Sequence, residues 1–272
     1  MSDLSLAALT ILDAGPAEQI RAAHEAGFKS VGLRLQPLLP SDRKIVGDSA
    51  AMQEIEGLIA STGMQVLEIG VFPIRPDTDL EALGPVLGFS HKIGARFIVC
   101  PVEDGDKARR AETFGTLCDL AESCALDVLV EFNPYSACRT LDEALDMVKA
   151  CGRPNGKLLV DAFHLSRSGG HPQQVAAIDK ALLPLVHLCD APPLPPAQRS
   201  EDEVRRESRT SRLLPGEGSL WLDELMAALP ADVAISIEAP AAQYAHLPAV
   251  ERARLALRAT QKMLARKSPA GG

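Results

Sequence analysis

DVLVEFNP, residues 127–134, and KLLVDAFH, residues 157–164, decide the reading of this chain. Each is a short apolar run that ends in a carboxylate, Glu131 in the first and Asp161 in the second. A charged group at the end of a buried strand carries a desolvation cost that a partner must offset. Two later runs repeat the pattern: LVHLCD, residues 185–190, carries His187, and ISIEAP, residues 235–240, carries Glu238. Strand alternation puts Leu129 with Glu131, Leu159 with Asp161, and Ser236 with Glu238 on common faces. A single acidic residue at such a place can be a helix N-cap, and a lone histidine in an apolar run is usually a core residue. Four on successive strands with the same parity point instead to one shared site above the mouth of a barrel.

Outward from these runs, strands alternate with Ala/Leu/Glu-rich amphipathic stretches at a spacing of about 30 residues, the length of one βα module. The earlier strand candidates are LAALTI (6–11), SVGLRL (30–35), QVLEIGV (65–71) and RFIVCP (96–101). In the second half they are DVLVEF (127–132), KLLVDAF (157–163), LVHLCD (185–190) and AISIEA (234–239). Glycines in EAGFKS, STGMQ and KIGARF supply helix C-caps before strands two, three and four. Eight such units in 272 residues, with no change of composition along the chain, predict an α/β fold. The expectation is one (β/α)8 barrel domain over residues 1–272, with a doubly wound open sheet as the alternative.

Two segments stand apart. Residues 191–219 break the rhythm and are expected to form a lid loop on the C-terminal face, where barrel active sites sit. They contain Arg205, Arg206, Arg209 and Arg212, the last just before LPGEG. Residues 266–272 are expected to be a flexible tail.

Composition narrows the function classes. Hydrophobic content of 46% with 24% charged residues is that of a globular enzyme, and 4% aromatics predicts an aliphatic core. A net charge of -8 argues against a nucleic-acid surface, which needs Lys and Arg to displace counterions. No apolar run reaches the roughly 18 to 20 residues of a membrane span, and the N-terminus lacks a basic leader, so a cytoplasmic protein is expected. Cys100, Cys118, Cys124, Cys138, Cys151 and Cys189 have no CxxC spacing and read as reduced thiols. Cys100 and Cys189 lie near strand ends but read as small buried hydrophobes. RSGG (167–170) and PGEG (215–218) match no phosphate-binding fingerprint and read as turns, and no Gly-x-Ser-x-Gly elbow is present.

Three carboxylates and one imidazole suit a hard or borderline divalent cation with positions open to water and substrate. His164, three residues beyond Asp161, can reach a substrate oxygen, and an Arg212 guanidinium can hold a hydroxylate or carboxylate. Arg34, Glu68, Phe72 and Glu103 are expected to shape the pocket from the first four units.

Glu131 in EFNP, Asp161 and His164 in DAFH, His187 in VHLCD, Arg212 before PGEG, and Glu238 in SIEAP together resemble the sugar phosphate isomerase/epimerase superfamily. This is the xylose-isomerase-like TIM-barrel group of ketose 3-epimerases, hydroxypyruvate isomerase, inosose dehydratase and bacterial 3-dehydroshikimate dehydratases. The resemblance covers about residues 5 to 265. It implies that Glu131, Asp161, His187 and Glu238 hold one divalent ion, Mn²⁺ or Mg²⁺ first, Co²⁺ or Zn²⁺ as alternatives. It implies catalytic roles for Glu131 and Glu238 on either side of the substrate, and substrate contacts by His164 and Arg212. The implied reaction is isomerisation or epimerisation of a small polyhydroxy carbonyl compound through a metal-stabilised enediolate. The alternative is dehydration of a cyclic hydroxy-ketone such as 3-dehydroshikimate or an inosose. Relatives of this kind are often homodimers or homotetramers. The related apurinic endonuclease barrels use three zinc ions and many histidines, which six histidines and a charge of -8 disfavour.

Overall fold

The structure, a computed structural model, describes residues 4–37, 44–193 and 199–266. Its strands are β1 (Leu4–Leu6), β2 (Ser30–Arg34), β3 (Gln65–Gly70), β4 (Phe97–Pro101), β5 (Asp127–Glu131), β6 (Gly156–Asp161), β7 (Leu185–Leu188) and β8 (Ala234–Ile237). All neighbours pair in parallel in sequence order, and β8 pairs with β1 to close the barrel. Between them run α1 (Pro16–Ala26), α2 (Ser49–Thr62), α3 (Gly84–Lys92), α4 (Lys107–Glu122) and α5 (Leu141–Cys151). The second half adds α6 (Ala162–Arg167), α7 (Pro172–Ala176), α8 (Glu201–Thr210), α9 (Leu222–Ala228) and α10 (Ala249–Ala265). Among the described residues, no helix is long and apolar enough to cross a membrane.

The strands are buried on both faces, which is why they read as continuous apolar runs. Leu67, Phe97, Val99, Leu129, Leu159 and Leu185 pack together as one cluster, distinct from the larger one that joins the strands to the helices. Three of these lie two residues below Glu131, Asp161 and His187, so the alternation sends those side chains inward at the top. Several helices start where a short polar side chain accepts orphan N–H groups. Asp48 caps α2 through Ala50 and Ala51, Asp106 caps α4, and Thr140 caps α5. Gly27 and Gly63 end α1 and α2 at φ 99° and 67°, a left-handed turn that suits glycine.

Two expectations shift. The first strand, expected at 6–11, is Leu4–Leu6, and Ala8–Ile11 forms a 3-10 turn. A short unbroken apolar run does not distinguish strand from buried helix. Thr10 fixes that turn across the seam: its Oγ1 donates to the Ile237 carbonyl (2.7 Å) and accepts from the Ala239 amide (2.9 Å). The segment 191–219, expected as a loop, contains the helix α8. Ser200 and Glu203 start α8 with a reciprocal capping box. Its buried residues are Glu207 and Ser208, so a search for apolar periodicity passes it by. Residues 194–198 of that segment, and 267–272 of the expected tail, lie outside the described residues.

Candidate metal centre

Glu131 ends β5, Asp161 ends β6, His187 lies in β7, and Glu238 follows β8 by one residue. The register sets Asp161 beside His187 and His187 beside Ser236, two residues below Glu238. One ligand atom from each of Glu131, Asp161, His187 and Glu238 falls within 4.8 Å of the others. His187 Nδ1 lies 3.9 Å from Glu131 Oε1, 3.9 Å from Asp161 Oδ2 and 3.5 Å from Glu238 Oε2. That nitrogen is buried and makes no hydrogen bond. A buried polar atom without a partner needs an explanation. A divalent ion among these oxygens supplies one, and three carboxylates with one imidazole are the donor set it would take. The four residues therefore fit the group that the strand-end pattern implies.

The electrostatics are those of crowded acids in a dry place. Burial and the neighbouring Glu238 push the Glu131 carboxyl up to about 8. Burial acts the same way on Glu238, but His187 and Arg212 outweigh it and hold that group well below the usual carboxylate range. Burial disfavours the charged form of His187, yet Glu68 and Glu238 overcome it and raise the imidazole well above its ordinary value. Burial lowers His164 to about 4, so that ring is neutral. Cys189 is pushed by burial up to about 12, and Cys100 is also raised by burial. Neither is a thiolate donor.

Arg212 stands behind the ring with its side chain only 1% exposed. Its Nη1 donates to Asp161 Oδ2 at 2.6 Å, and Nη2 lies 3.1 Å from Glu238 Oε2. Nε donates to the Ser208 carbonyl at 2.7 Å and Nη2 to Ser208 Oγ at 3.0 Å. The segment read as a lid thus builds the site, because α8 supplies the backing for Arg212. Tyr135 donates to the same Ser208 hydroxyl at 2.9 Å. The Phe163 ring meets two guanidiniums, that of Arg167 at 5.0 Å and that of Arg212 at 5.1 Å from its centroid. Glu207 anchors α8 by pairing with Arg167 at 2.7 Å and with Arg199. Arg205 donates to the Tyr135 carbonyl, while Arg209 is at the exposed end of α8.

His164 lies in the first turn of α6, which Asp161 caps by accepting from the His164 amide at 2.8 Å. Asp161 thus combines a ring oxygen with the N-cap role that a strand-end acid can also have. His164 Nε2 is 3.4 Å from Arg212 Nη2, and its ring meets Tyr135 and Phe163 edge-on.

A narrow cleft, with about 30 Å³ of enclosed room, opens over the ring toward β1–β3. Glu131, His187 and Glu238 form its floor with Glu68, and Ala7, Ala8, Gly32, Arg34 and Gly70 are among its walls. Asp161, His164 and Arg212 lie behind that floor. Of the four residues expected to shape the pocket, Arg34 and Glu68 line it. Phe72 is buried in the core, and Glu103 pairs at the surface with Arg75 at 2.6 Å. Glu68 reaches farther than expected: its Oε2 is 2.8 Å from His187 Nε2. The signal for that role is the same one that exposed the three acidic ring residues, a carboxylate at or in an apolar strand.

A family model described as xylose isomerase-like TIM barrel matches residues 20–264. An inosose isomerase of Bacillus velezensis is 27% identical over 166 residues, 59% of this chain and 56% of that protein. An inosose isomerase of Halalkalibacterium halodurans is 24% identical over 155 residues, 55% of this chain and 52% of that protein. The chain thus matches about half the length of these curated relatives. Among solved structures, an IolI protein with a binding zinc atom superposes with a TM-score of 0.81 at 18% identity, covering 98% of this chain and 99% of the other.

Proposed function

The chain belongs to the xylose isomerase-like TIM barrel family, and from that premise we propose that it is a divalent-metal-dependent isomerase or epimerase. Its substrate would be a small polyhydroxy carbonyl compound of sugar or inosose type. The observation that carries the reading is the convergence of Glu131, Asp161, His187 and Glu238 on one point, with His187 Nδ1 aimed unpaired into it. The names of the two inosose isomerases support the substrate class.

Glu131, Asp161, His187 and Glu238 would hold the ion. Once bound, it would supply Lewis acidity to a carbonyl and its neighbouring hydroxyl, favouring loss of the proton between them. The chain's own groups do the rest. Glu131 and Glu238 face the cleft from different strands, so one carboxylate can take the proton on one side of the substrate and the other can return one. Return to the opposite face of the same carbon gives epimerisation, and return to the adjacent carbon gives aldose–ketose isomerisation. Arg212 helps keep Glu238 ionised and holds both it and Asp161 in place. His164 and Arg212, for which the resemblance implies substrate contacts, stand behind the floor and would act on the substrate through Asp161 and Glu238. The burial of the floor excludes bulk water and strengthens each of these interactions.

Metal analysis of the purified protein by mass spectrometry, with Glu131→Ala as control, tests the reading. One divalent ion per chain, lost in the variant, followed by turnover of an inosose or ketose, is expected. A new conjugated absorbance during turnover would signal loss of water and assign a dehydratase instead. No ion even after supplementation with Mn²⁺, Mg²⁺, Co²⁺ or Zn²⁺ would refute the metal centre.

A further inference from the structure

Glu68 takes no step in the chemistry above, yet it is 3% exposed and reaches His187 from the opposite wall of the barrel. Isolated burial would be costly for a carboxylate, and two hydrogen bonds offset the cost. Oε2 meets His187 Nε2 at 2.8 Å, and Oε1 accepts from Ser236 Oγ at 2.7 Å. The backbone is shaped to bring it there. Pairing between β2 and β3 passes from Val31↔Val66 to Gly32↔Glu68, so Leu67 has no partner on β2. Such a bulge re-aims the side chains beside it. Leu67 joins the interior cluster, and the adjacent Glu68 also points inward. On the facing strand Gly32 leaves the space: a Cβ there would stand 2.6 Å from Glu68 Oε1 and 2.8 Å from its Cγ.

A neutral imidazole has one N–H and one lone pair, and the partner of one nitrogen decides which is which. A carboxylate can only accept, so Glu68 places the hydrogen on Nε2. Once an ion displaces the ring's second proton, Nδ1 is left as the lone pair facing Glu131, Asp161 and Glu238. We propose that Glu68 is a positioning residue of the metal centre: held by Ser236 in the space left by Gly32, it locks His187 in the Nε2–H tautomer that presents Nδ1 to the ion. This rests on the reading of the four-residue ring as a metal site. Partners of this kind around a ligating histidine change metal affinity by about 10–100-fold.

The test strips wild type, Glu68→Ala, Glu68→Gln and Gly32→Ala with a chelator, confirms folding by circular dichroism, and titrates each with Zn²⁺. Nitrogen NMR of the histidine rings in the Zn²⁺-loaded proteins reads the tautomer. Glu68→Ala is expected to weaken Zn²⁺ binding by about 10–100-fold and to lose the single Nε2–H signature of His187. Gly32→Ala is expected to do the same by displacing the intact carboxylate. Glu68→Gln, whose amide oxygen can still accept from Nε2–H, is expected to restore the tautomer and most of the affinity. Wild type without affinity for Zn²⁺ would overturn the metal site itself. Tight wild-type binding with Glu68→Ala or Gly32→Ala equally tight, and the His187 tautomer unchanged, would overturn only the positioning role. Failure of Glu68→Gln to exceed Glu68→Ala would also overturn it. If Glu68→Ala does not fold, Gly32→Ala and Glu68→Gln decide the matter alone.

Discussion

Strands β5 to β7 carry Glu131, Asp161 and His187, with Glu238 one residue past β8, whereas β1 to β3 open onto Ala7, Ala8, Gly32 and Gly70. One side of the mouth is crowded with charge and backed by Arg212, Tyr135 and Ser208 on further elements. The other side is mostly small and leaves the cleft. The two sides meet at Glu68, which reaches from the small side to steady a histidine on the charged one. In a barrel of eight similar units, chemistry concentrates where partners can be stacked behind each ligand, and room for substrate lies where side chains are short. The same contrast separates ion pairs: Arg212–Asp161 at 2.6 Å and Arg21–Glu54 at 2.7 Å differ little in length but greatly in surroundings.

The largest effect is expected from Arg212→Leu. It leaves Asp161 and Glu238 without their buried counter-charge, and removing one partner of a buried pair costs about 3–5 kcal/mol. Urea unfolding of the chelator-treated protein measures it; a loss below about 1 kcal/mol, the surface range, would erase the distinction between the two sides.

A second effect concerns protons. The Glu131 carboxyl is raised from 4.5 to about 8 in the native state, so between those values the metal-free native protein holds a proton that the unfolded chain has released. Its stabilising contribution is present below the unfolded value and is lost as pH rises through about 8. Metal binding must displace the same proton, so affinity should climb with pH over this window. Melting temperature against pH, with chelator and with saturating Zn²⁺, should show opposite trends between the two series. Parallel curves would remove Glu131 from the ring's proton balance.

The smallest effect belongs to Arg21→Ala, which breaks a pair 48% and 44% exposed between α1 and α2. Exposed pairs contribute about 0–1 kcal/mol, and thermal unfolding should scarcely move. A loss comparable to that of Arg212→Leu would mean that burial is not what divides these interactions.

The ring residues were legible because a carboxylate in a buried strand is expensive wherever it occurs, and alternation with Leu129, Leu159 and Leu185 told which way each faced. The later strands were legible for the same reason. β1 was misplaced because LAALTI has no polar residue early enough to mark where strand gives way to turn. The helix α8 escaped because it buries Glu207 and Ser208 against charged partners rather than an apolar stripe, although SEDE at 200–203 held the capping box in plain view. The join between Glu68 and His187 depends on residues 119 apart and on a bulge, neither of which has a local sequence period. Gly32 gains its meaning only once Glu68 is seen across from it.

The seam tied by Thr10 bears on how the molecule assembles. Its hydrogen bond to Ile237 joins residues 227 apart, and β1 on that seam has only three residues. Contacts so distant in sequence are slow to form, since the loop between them must close before they are rewarded. Until then an unclosed sheet would show two raw edges, one of them the unpaired N–H and C=O groups of β8, and an unpaired edge is a template for another chain. Closing the β8–β1 seam is thus the step that removes both edges, and the Thr10 hydroxyl is one of the groups that hold it closed.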